Sequence, residues 1–346
     1  MILLHMADAL ISPAVGAAMW AASAGFVAYS TKKTGDSGDE RKTPLMGAVG
    51  AFVFAAQMIN FTIPATGSSG HLVGSILLAA LLGRHAAFLT IASILTVQAL
   101  FFADGGLLAL GCNIFNMGVI PCYIAYPLVY KRILGGNPTG KSICRAAVCA
   151  SVIGLQLGAL GVVAEVTLSA VTQLPTGIFL LLMQPIHLAI GIAEGFITAA
   201  VVMYVFSQRP EIIKAGGKTD FKNSYSLRPL FAAFIVTATV IAGGLSLFAS
   251  SYPDGLEWSI MRAGGQEELE TPAGGVYEAL AQAQEKFAFF PDYAFAGAEE
   301  TDGEPPAFSA AAAGVAGVAL SFAAAFLLGK AARIGYRKKH GVGTVV

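Results

Sequence analysis

Two of the five histidines lie in short polar stretches whose residue types suit metal chemistry. His5 is followed closely by Met6 and Asp8 in the stretch HMADALISP, and His71 ends the stretch IPATGSSGH. Neutral imidazole nitrogen is a favoured ligand of borderline divalent metals such as Ni²⁺, Co²⁺ and Zn²⁺. Two histidines could begin such a site but are too few to define one. The alternative is a pair of interfacial histidines that bind no metal.

The composition predicts a membrane protein around these residues. Hydrophobic residues make up 55% of the 346 residues, charged residues only 12%, and the mean hydropathy is +0.69. A soluble domain carries about 25% charged residues. A formal net charge of zero favours neither nucleic acid nor an acidic partner. No CxxC motif is present, so the cysteines are interpreted as small buried hydrophobic residues: Cys112, Cys122, Cys144 and Cys149.

Apolar runs predict nine membrane crossings, since about 20 residues cross 30 Å of hydrocarbon. No Lys or Arg precedes Lys32, so the first run is interpreted as a retained span rather than a cleaved signal peptide. The run 71–83 has 13 residues, which leaves a short tilted helix or a re-entrant segment open. The predicted spans are 9–30, 44–63, 71–83, 86–103, 107–130, 144–172, 179–206, 228–250 and 308–329.

The distribution of basic residues predicts the orientation. If nine spans alternate, 19 of the 21 Lys and Arg residues fall on one side, which the positive-inside rule makes the cytoplasm. The loop 251–307 then lies outside, with twelve acids and two bases. The predicted fold class is an all-α polytopic membrane protein with its N-terminus outside and its C-terminus cytoplasmic. His5 and His71 both fall on the outer side.

Further polar residues at the outer ends of spans are candidates for lining a substrate pocket with Met6 and Asp8. Asn113 and Asn116 are three residues apart and therefore share a helix face. A polar group inside a span costs free energy unless it pairs or lines a cavity. Hydrogen bonding between helices is the alternative role. The other candidates are Asn60 and Ser69.

Two ionisable residues within the seventh predicted span suggest other roles. His187 and Glu194 are seven residues apart, on nearly one helix face. They could form a proton relay, which would make the chain a proton-coupled secondary transporter of divalent metal. A structural His–Glu network, or a contact with another membrane subunit, is favoured over this alternative.

No sequence motif supports an enzymatic function. The stretch GGNPTGKS, residues 135–142, fits the P-loop pattern, but a working P-loop needs a preceding strand and a nucleotide-binding domain. This stretch lies in a short predicted loop between two spans. No HExxH pair is present for a metallohydrolase. The chain is therefore predicted not to be an enzyme, and no cofactor is expected.

Long motifs resemble one known family. The stretches HMADALISP, QMINFTIPATGSSGHLVGSILLAALLG, VQALFFADGGLLALGCNIFNMGVI and PIHLAIGIAEGFITA are similar to the CbiM/NikM family. Its members are the substrate-binding membrane subunits of cobalt and nickel energy-coupling-factor (ECF) transporters. The stretches YPDGLE and FPDYAF, with the final span, resemble the small accessory subunit CbiN/NikN of the PDGLE type, here fused to the C-terminus.

The resemblance implies a substrate metal, Ni²⁺ or Co²⁺, bound by His5 and His71. In the family the histidine directly follows the first Met, so the terminal amine and a backbone nitrogen are also ligands. Here Ile2, Leu3 and Leu4 intervene, and an amine beside His5 would require trimming of the chain.

The resemblance also implies the partners and the division of the chain. The partners are a transmembrane coupling (T) subunit and two ATPase (A) subunits in the cytoplasmic membrane. Residues 1–206 form the metal-binding part, 207–227 a cytoplasmic linker, and 228–346 the PDGLE-type region. The acidic loop 251–307 is interpreted either as a solvated spacer or as a segment that gathers cations.

Overall fold

Nearly all regular structure in the chain is helical. The computed structural model describes residues 5–36, 42–214, 227–265, 271–272, 274–295 and 307–340. The helices are α1 (Pro13–Asp36), α2 (Lys42–Gln57), α3 (Ser75–Leu82), α4 (Arg84–Phe101), α5 (Leu110–Leu134), α6 (Gly140–Ser169), α7 (Thr176–Gln208), α8 (Pro210–Lys214), α9 (Arg228–Gly243), α10 (Gly255–Gly264), α11 (Gly275–Phe287) and α12 (Ala307–His340).

Five of the described helices are long and apolar enough to cross a membrane. They are α4, α5, α6, α7 and the Ala307–Gly335 part of α12. This confirms the prediction of a helical membrane protein with several crossings. Helices also form in the other predicted spans, but α3 has eight residues and rises only about 12 Å. The count of nine and the placement of the two termini stay predictions.

The predicted span 44–63 ends earlier than expected. Helix α2 stops at Gln57, and strand β1 (Phe61–Ile63) pairs antiparallel with β2 (Ser68–Gly70). Pro64, which has no N–H, and Gly67, with a φ of +73°, lie in the intervening turn. The all-α prediction therefore misses this small hairpin, which ends directly before His71.

Helices α6 and α7 form a closely packed pair. A Cβ atom at Gly195 would lie 2.5 Å from the Cα atom of Val148, and one at Gly191 would lie 2.9 Å from the Cα atom of Val152. Glycine is needed at both positions because the two backbones approach so closely, as is common between membrane helices.

The C-terminal region packs on the hairpin and on the N-terminal segment. The Ser250 N–H donates to the Asn60 carbonyl (2.8 Å), and the Trp258 indole N–H donates to the Thr66 carbonyl (3.1 Å). Residue Tyr277 in α11 donates its hydroxyl hydrogen to the Ile11 carbonyl (2.9 Å). Residues 250–265 and 274–287 therefore cover the elements that carry the two candidate histidines.

Candidate metal centre

The structure brings His5 and His71 together, although 65 residues lie between them. Their ring centroids are 5.7 Å apart with an interplanar angle of 64°, and the residues are 3% and 8% exposed. Both rings line one cavity of about 80 Å³. Its other lining residues include Met6, Asn113, Asn116, His187, Asp254 and Leu256.

Asn113 of α5 fixes the backbone next to His5. Its side-chain oxygen accepts the Met6 N–H (3.1 Å), and its amide group donates to the Met6 carbonyl (3.3 Å). The Gly106 N–H donates to the same carbonyl (3.0 Å). One asparagine thus satisfies both backbone groups of Met6, and the segment is held against the start of α5.

The hairpin and the C-terminal region fix His71. The residue follows β2 directly, and β2 is paired on one side with β1. On its other side, Ser69 forms a parallel bridge with Asp254 and donates its N–H to the Pro253 carbonyl (2.8 Å). His71 therefore leaves a small three-stranded arrangement whose third segment comes from the distant C-terminal region.

Each histidine faces a buried aspartate. The His5 Nδ1 atom lies 2.9 Å from Asp104 Oδ1, and the His71 Nδ1 atom lies 3.2 Å from Asp254 Oδ1. Histidines that bind metals usually donate their second ring N–H to a carboxylate, which fixes the tautomer and raises the basicity of the ligating nitrogen. The arrangement leaves the Nε2 atom of His71 as its available ligand. Within the described ranges, both ring nitrogens of His5 are buried and neither has a hydrogen-bond partner, so the 2.9 Å contact of Nδ1 with Asp104 lacks hydrogen-bond geometry.

The aspartates remain charged because of the histidines. Burial raises the pKa of Asp254, but the attraction and the hydrogen bond to His71 outweigh burial and hold the pKa below its ordinary value of 3.8. Burial also raises the pKa of Asp104, but His5 and the Tyr293 hydroxyl group outweigh burial. The pKa of Asp104 therefore lies below 3.8. Two carboxylates thus supply negative charge behind two imidazoles, which suits a divalent cation.

The remaining predicted pocket residues fall into two groups. Met6, Asn113 and Asn116 line the cavity, and Asn116 also donates to Glu165 Oε2 (2.7 Å). The other three residues are absent from the cavity lining. Asp8 accepts the Ala109 N–H (2.9 Å), Ser69 donates its hydroxyl hydrogen to the Tyr252 carbonyl (2.7 Å), and the carbonyl of Asn60 accepts the Ser250 N–H. These three residues position segments around the cavity.

His187 and Glu194 occupy different positions on α7. His187 lines the cavity, and its Nδ1 atom lies 2.8 Å from the Met183 carbonyl oxygen. Glu194 accepts the N–H groups of Val73 (2.7 Å) and Gly74 (3.3 Å) just before α3. Each side chain is paired with backbone groups, so the two residues have separate hydrogen-bond partners.

The sequence reasoning did not identify Asp254 or Tyr293 as parts of the site, and it did not propose Asp104 as a partner of His5. Asp254 was counted among the acids of the 251–307 loop, although it lies in the PDGLE stretch that marks this loop as more than a spacer. Among the described residues, no group of three or more His, Cys, Asp and Glu side chains is arranged to hold a metal ion. The terminal amine implied by the resemblance would belong to residues 1–4, which lie outside the described ranges.

Membrane-crossing helices and a buried cavity with two carboxylate-paired imidazoles define a class: a helical membrane protein with a candidate site for a divalent metal. Comparisons with known proteins agree. Residues 5–212 match the family model CbiM, the cobalt uptake substrate-specific transmembrane region, and residues 228–334 match the PDGLE domain. The chain therefore belongs to the CbiM family of cobalt and nickel transport proteins and carries a fused PDGLE region.

Individual relatives cover both parts of the chain. A protein of Archaeoglobus fulgidus, assigned as a fused nickel transport protein NikMN, is 31% identical over 95% of this chain and 99% of its own. The cobalt transport protein CbiM of Sorangium cellulosum is 30% identical over 49% of this chain and 76% of its own. The crystal structure of a truncated transition metal transporter shares 32% identity with a TM-score of 0.52, over 59% of this chain and 99% of that one.

Proposed function

We propose that the chain is the substrate-capture component of an ECF-type ABC transporter that imports Ni²⁺ or Co²⁺ across the cytoplasmic membrane. The observation that carries the proposal is the pair His5 and His71, whose rings are 5.7 Å apart on one cavity and whose Nδ1 atoms each face a buried carboxylate. Neutral imidazole nitrogen suits both metals, and the stability order ranks Ni²⁺ only modestly above Co²⁺. Membership of the CbiM family supports metal as the substrate.

We propose that the chain divides into three parts. Residues 1–206 bind the metal, 207–227 form a cytoplasmic linker, and 228–346 form the accessory region. The chain itself is proposed not to be an enzyme. A transmembrane coupling subunit and two ATPase subunits would supply the energy.

Metal analysis of the purified full chain tests the site. After loading with Ni²⁺ or Co²⁺ and desalting, the wild type should retain near-stoichiometric metal. His5→Ala and His71→Ala should each lose most of it, because a two-imidazole site cannot lose one ligand without a large drop in affinity. His340→Ala is the control and should retain the metal. Equal metal content in all four proteins would reject the site.

Uptake into proteoliposomes tests the energy source. The chain together with its coupling and ATPase partners should accumulate metal only with ATP. Proton-coupled secondary transport is the alternative considered above. Uptake by the chain alone under a pH gradient, abolished by Glu194→Gln or His187→Ala, would establish that alternative and overturn the proposal.

A further inference from the structure

The PDGLE stretch places a carboxylate against His71 with little freedom to move. The Pro253 carbonyl accepts the Ser69 N–H (2.8 Å), which fixes the backbone of the stretch beside β2. Asp254 then uses both carboxylate oxygens: Oδ1 lies 3.2 Å from His71 Nδ1, and Oδ2 accepts the Leu256 N–H (3.4 Å) as the N-cap of α10. Asp254 is 3% exposed, so water competes little for these contacts.

The FPDYAF stretch reaches His5 through one intermediate residue. The Tyr293 hydroxyl group donates to Asp104 Oδ2 (2.6 Å), while Asp104 Oδ1 lies 2.9 Å from His5 Nδ1. The Tyr293 ring stacks on Phe102 with centroids 4.9 Å apart. The backbone of the same stretch is fixed as well, since the Asp292 N–H donates to the Phe102 carbonyl (3.0 Å).

The two contacts share one pattern. Each aspartate uses one oxygen for a histidine Nδ1 atom and the other for a group of the C-terminal region. A carboxylate at Nδ1 favours the tautomer that carries hydrogen on Nδ1 and a lone pair on Nε2, the form in which Nε2 can ligate a metal. Neither contact requires a bound metal, so the C-terminal region would prepare both rings in advance.

We propose that the C-terminal region supplies positioning residues for both candidate ligands: Asp254 acts on His71 directly, and Tyr293 acts on His5 through Asp104. The proposal has one consequence that rests on the proposed function: the metal affinity of residues 1–206 depends on side chains of residues 228–346. Loss of a group that orients a metal-binding histidine typically weakens metal binding 10- to 100-fold. The same range is expected for Asp254→Asn.

The test uses the purified full chain and two matched pairs of variants. Asp254→Asn keeps the N-cap of α10, because Asn caps helices about as well as Asp, but removes the carboxylate beside His71. Its control is Glu278→Gln, which removes an exposed charge from the same region. Tyr293→Phe removes only the hydroxyl group that donates to Asp104, and its control is Tyr252→Phe, an exposed tyrosine of the PDGLE stretch.

Two quantities are measured for each variant. Calorimetric titration with Ni²⁺ gives the affinity. Nitrogen-15 NMR of histidine-labelled protein without metal, at a pH raised until the ring signals no longer change, gives the tautomer of each neutral ring. Signals are assigned by comparison with His5→Ala and His71→Ala, and thermal unfolding confirms that each variant is folded.

We expect the wild type to show hydrogen on Nδ1 of His71. Asp254→Asn should alter the tautomer of His71 alone and weaken Ni²⁺ binding 10- to 100-fold, Tyr293→Phe should alter the signals of His5 alone, and both controls should match the wild type. Unchanged ring signals in the folded Asp254→Asn and Tyr293→Phe variants would overturn the inference, even if affinity fell. If the wild type binds no Ni²⁺, the proposed function fails, while the NMR comparison still decides whether these residues position the rings.

Discussion

The Nδ1 atom of His5 lies 2.9 Å from Asp104 Oδ1, and both side chains are 1% exposed. Asp104→Ala would leave a buried imidazole and the Tyr293 hydroxyl group without their shared acceptor, at a cost of about 1–3 kcal/mol each. We expect a clear fall in the free energy of unfolding and a loss of metal binding. Chemical denaturation and metal analysis measure the two effects. The exposed Asp36→Ala at the end of α1 should change neither, and an equal response of the two variants would contradict this account.

Metal affinity should fall as the pH drops, because protons compete with metal for imidazole nitrogen. The fall should begin in a pH range above the ordinary histidine pKa of about 6.5, because burial lowers the pKa of His71 but Asp254 raises it more. The pKa values of Asp104 and Asp254 are held below 3.8, so both carboxylates stay ionised throughout that range. Protonation of the histidines should therefore contribute to the loss. Calorimetric titrations with Ni²⁺ between about pH 5 and pH 8 measure it. An affinity that stays constant or rises on acidification would exclude imidazole ligands.

Helices α6 and α7 should tolerate no side chain at Gly195. A Cβ atom there would meet the Val148 Cα atom at 2.5 Å, and a backbone atom cannot turn aside as a side chain can. Gly195→Ala should destabilise the protein by about 1–3 kcal/mol, the usual cost of overpacking. Gly25→Ala in α1 is the matched control, since its Cβ atom would have no neighbour within 4 Å. Thermal unfolding in detergent should separate the two variants; equal midpoints would show that the helices can move apart freely.

The stretch that resembles a P-loop should behave as a helix cap. The Thr139 hydroxyl group accepts the Ser142 N–H (3.2 Å), and the Ser142 hydroxyl group accepts the Thr139 N–H (2.8 Å) at the start of α6. Thr139→Ala should therefore cost about 1 kcal/mol of stability. Lys141→Ala should change neither stability nor metal binding, and the purified chain should not hydrolyse ATP. Hydrolysis that Lys141→Ala abolishes would restore the nucleotide-binding interpretation.

The orientation can be tested with single cysteines in a chain whose four native cysteines are replaced. Val276 in α11 is 48% exposed, so Val276→Cys should react with a membrane-impermeant reagent applied to intact cells. A cysteine placed at 214–222 should react only after the cells are opened. The reverse result would invert the orientation and place the metal site on the cytoplasmic side.

Local sequence patterns predicted helices well where the helix depends mainly on its own residues. The apolar run 144–172 corresponds to α6, which begins earlier because Thr139 and Ser142 cap it. The apolar run that predicted a span to residue 63 continued past Gln57, but the following residues pair as β1 and β2. Hydropathy could not separate that hairpin from the helix, because Phe61 and Ile63 are as apolar as helix residues.

The site was only half predictable for a related reason. His5 and His71 could be assigned to the same side by counting crossings. The pairing of His71 with Asp254 could not be assigned, because it depends on how the C-terminal region packs, and sequence spacing carries no record of that packing. The residues 252–257 marked by the resemblance were the available signal for Asp254.

The separation of 183 residues between His71 and Asp254 has a consequence for biosynthesis. At about 5–20 residues per second, a ribosome makes Asp254 roughly 10–40 seconds after His71. Throughout that interval the histidine lacks the carboxylate that orients it. Asp254 belongs to the same polypeptide as His71, so its docking requires no encounter between subunits. The time at which the site can bind metal is therefore set by translation rather than by protein concentration.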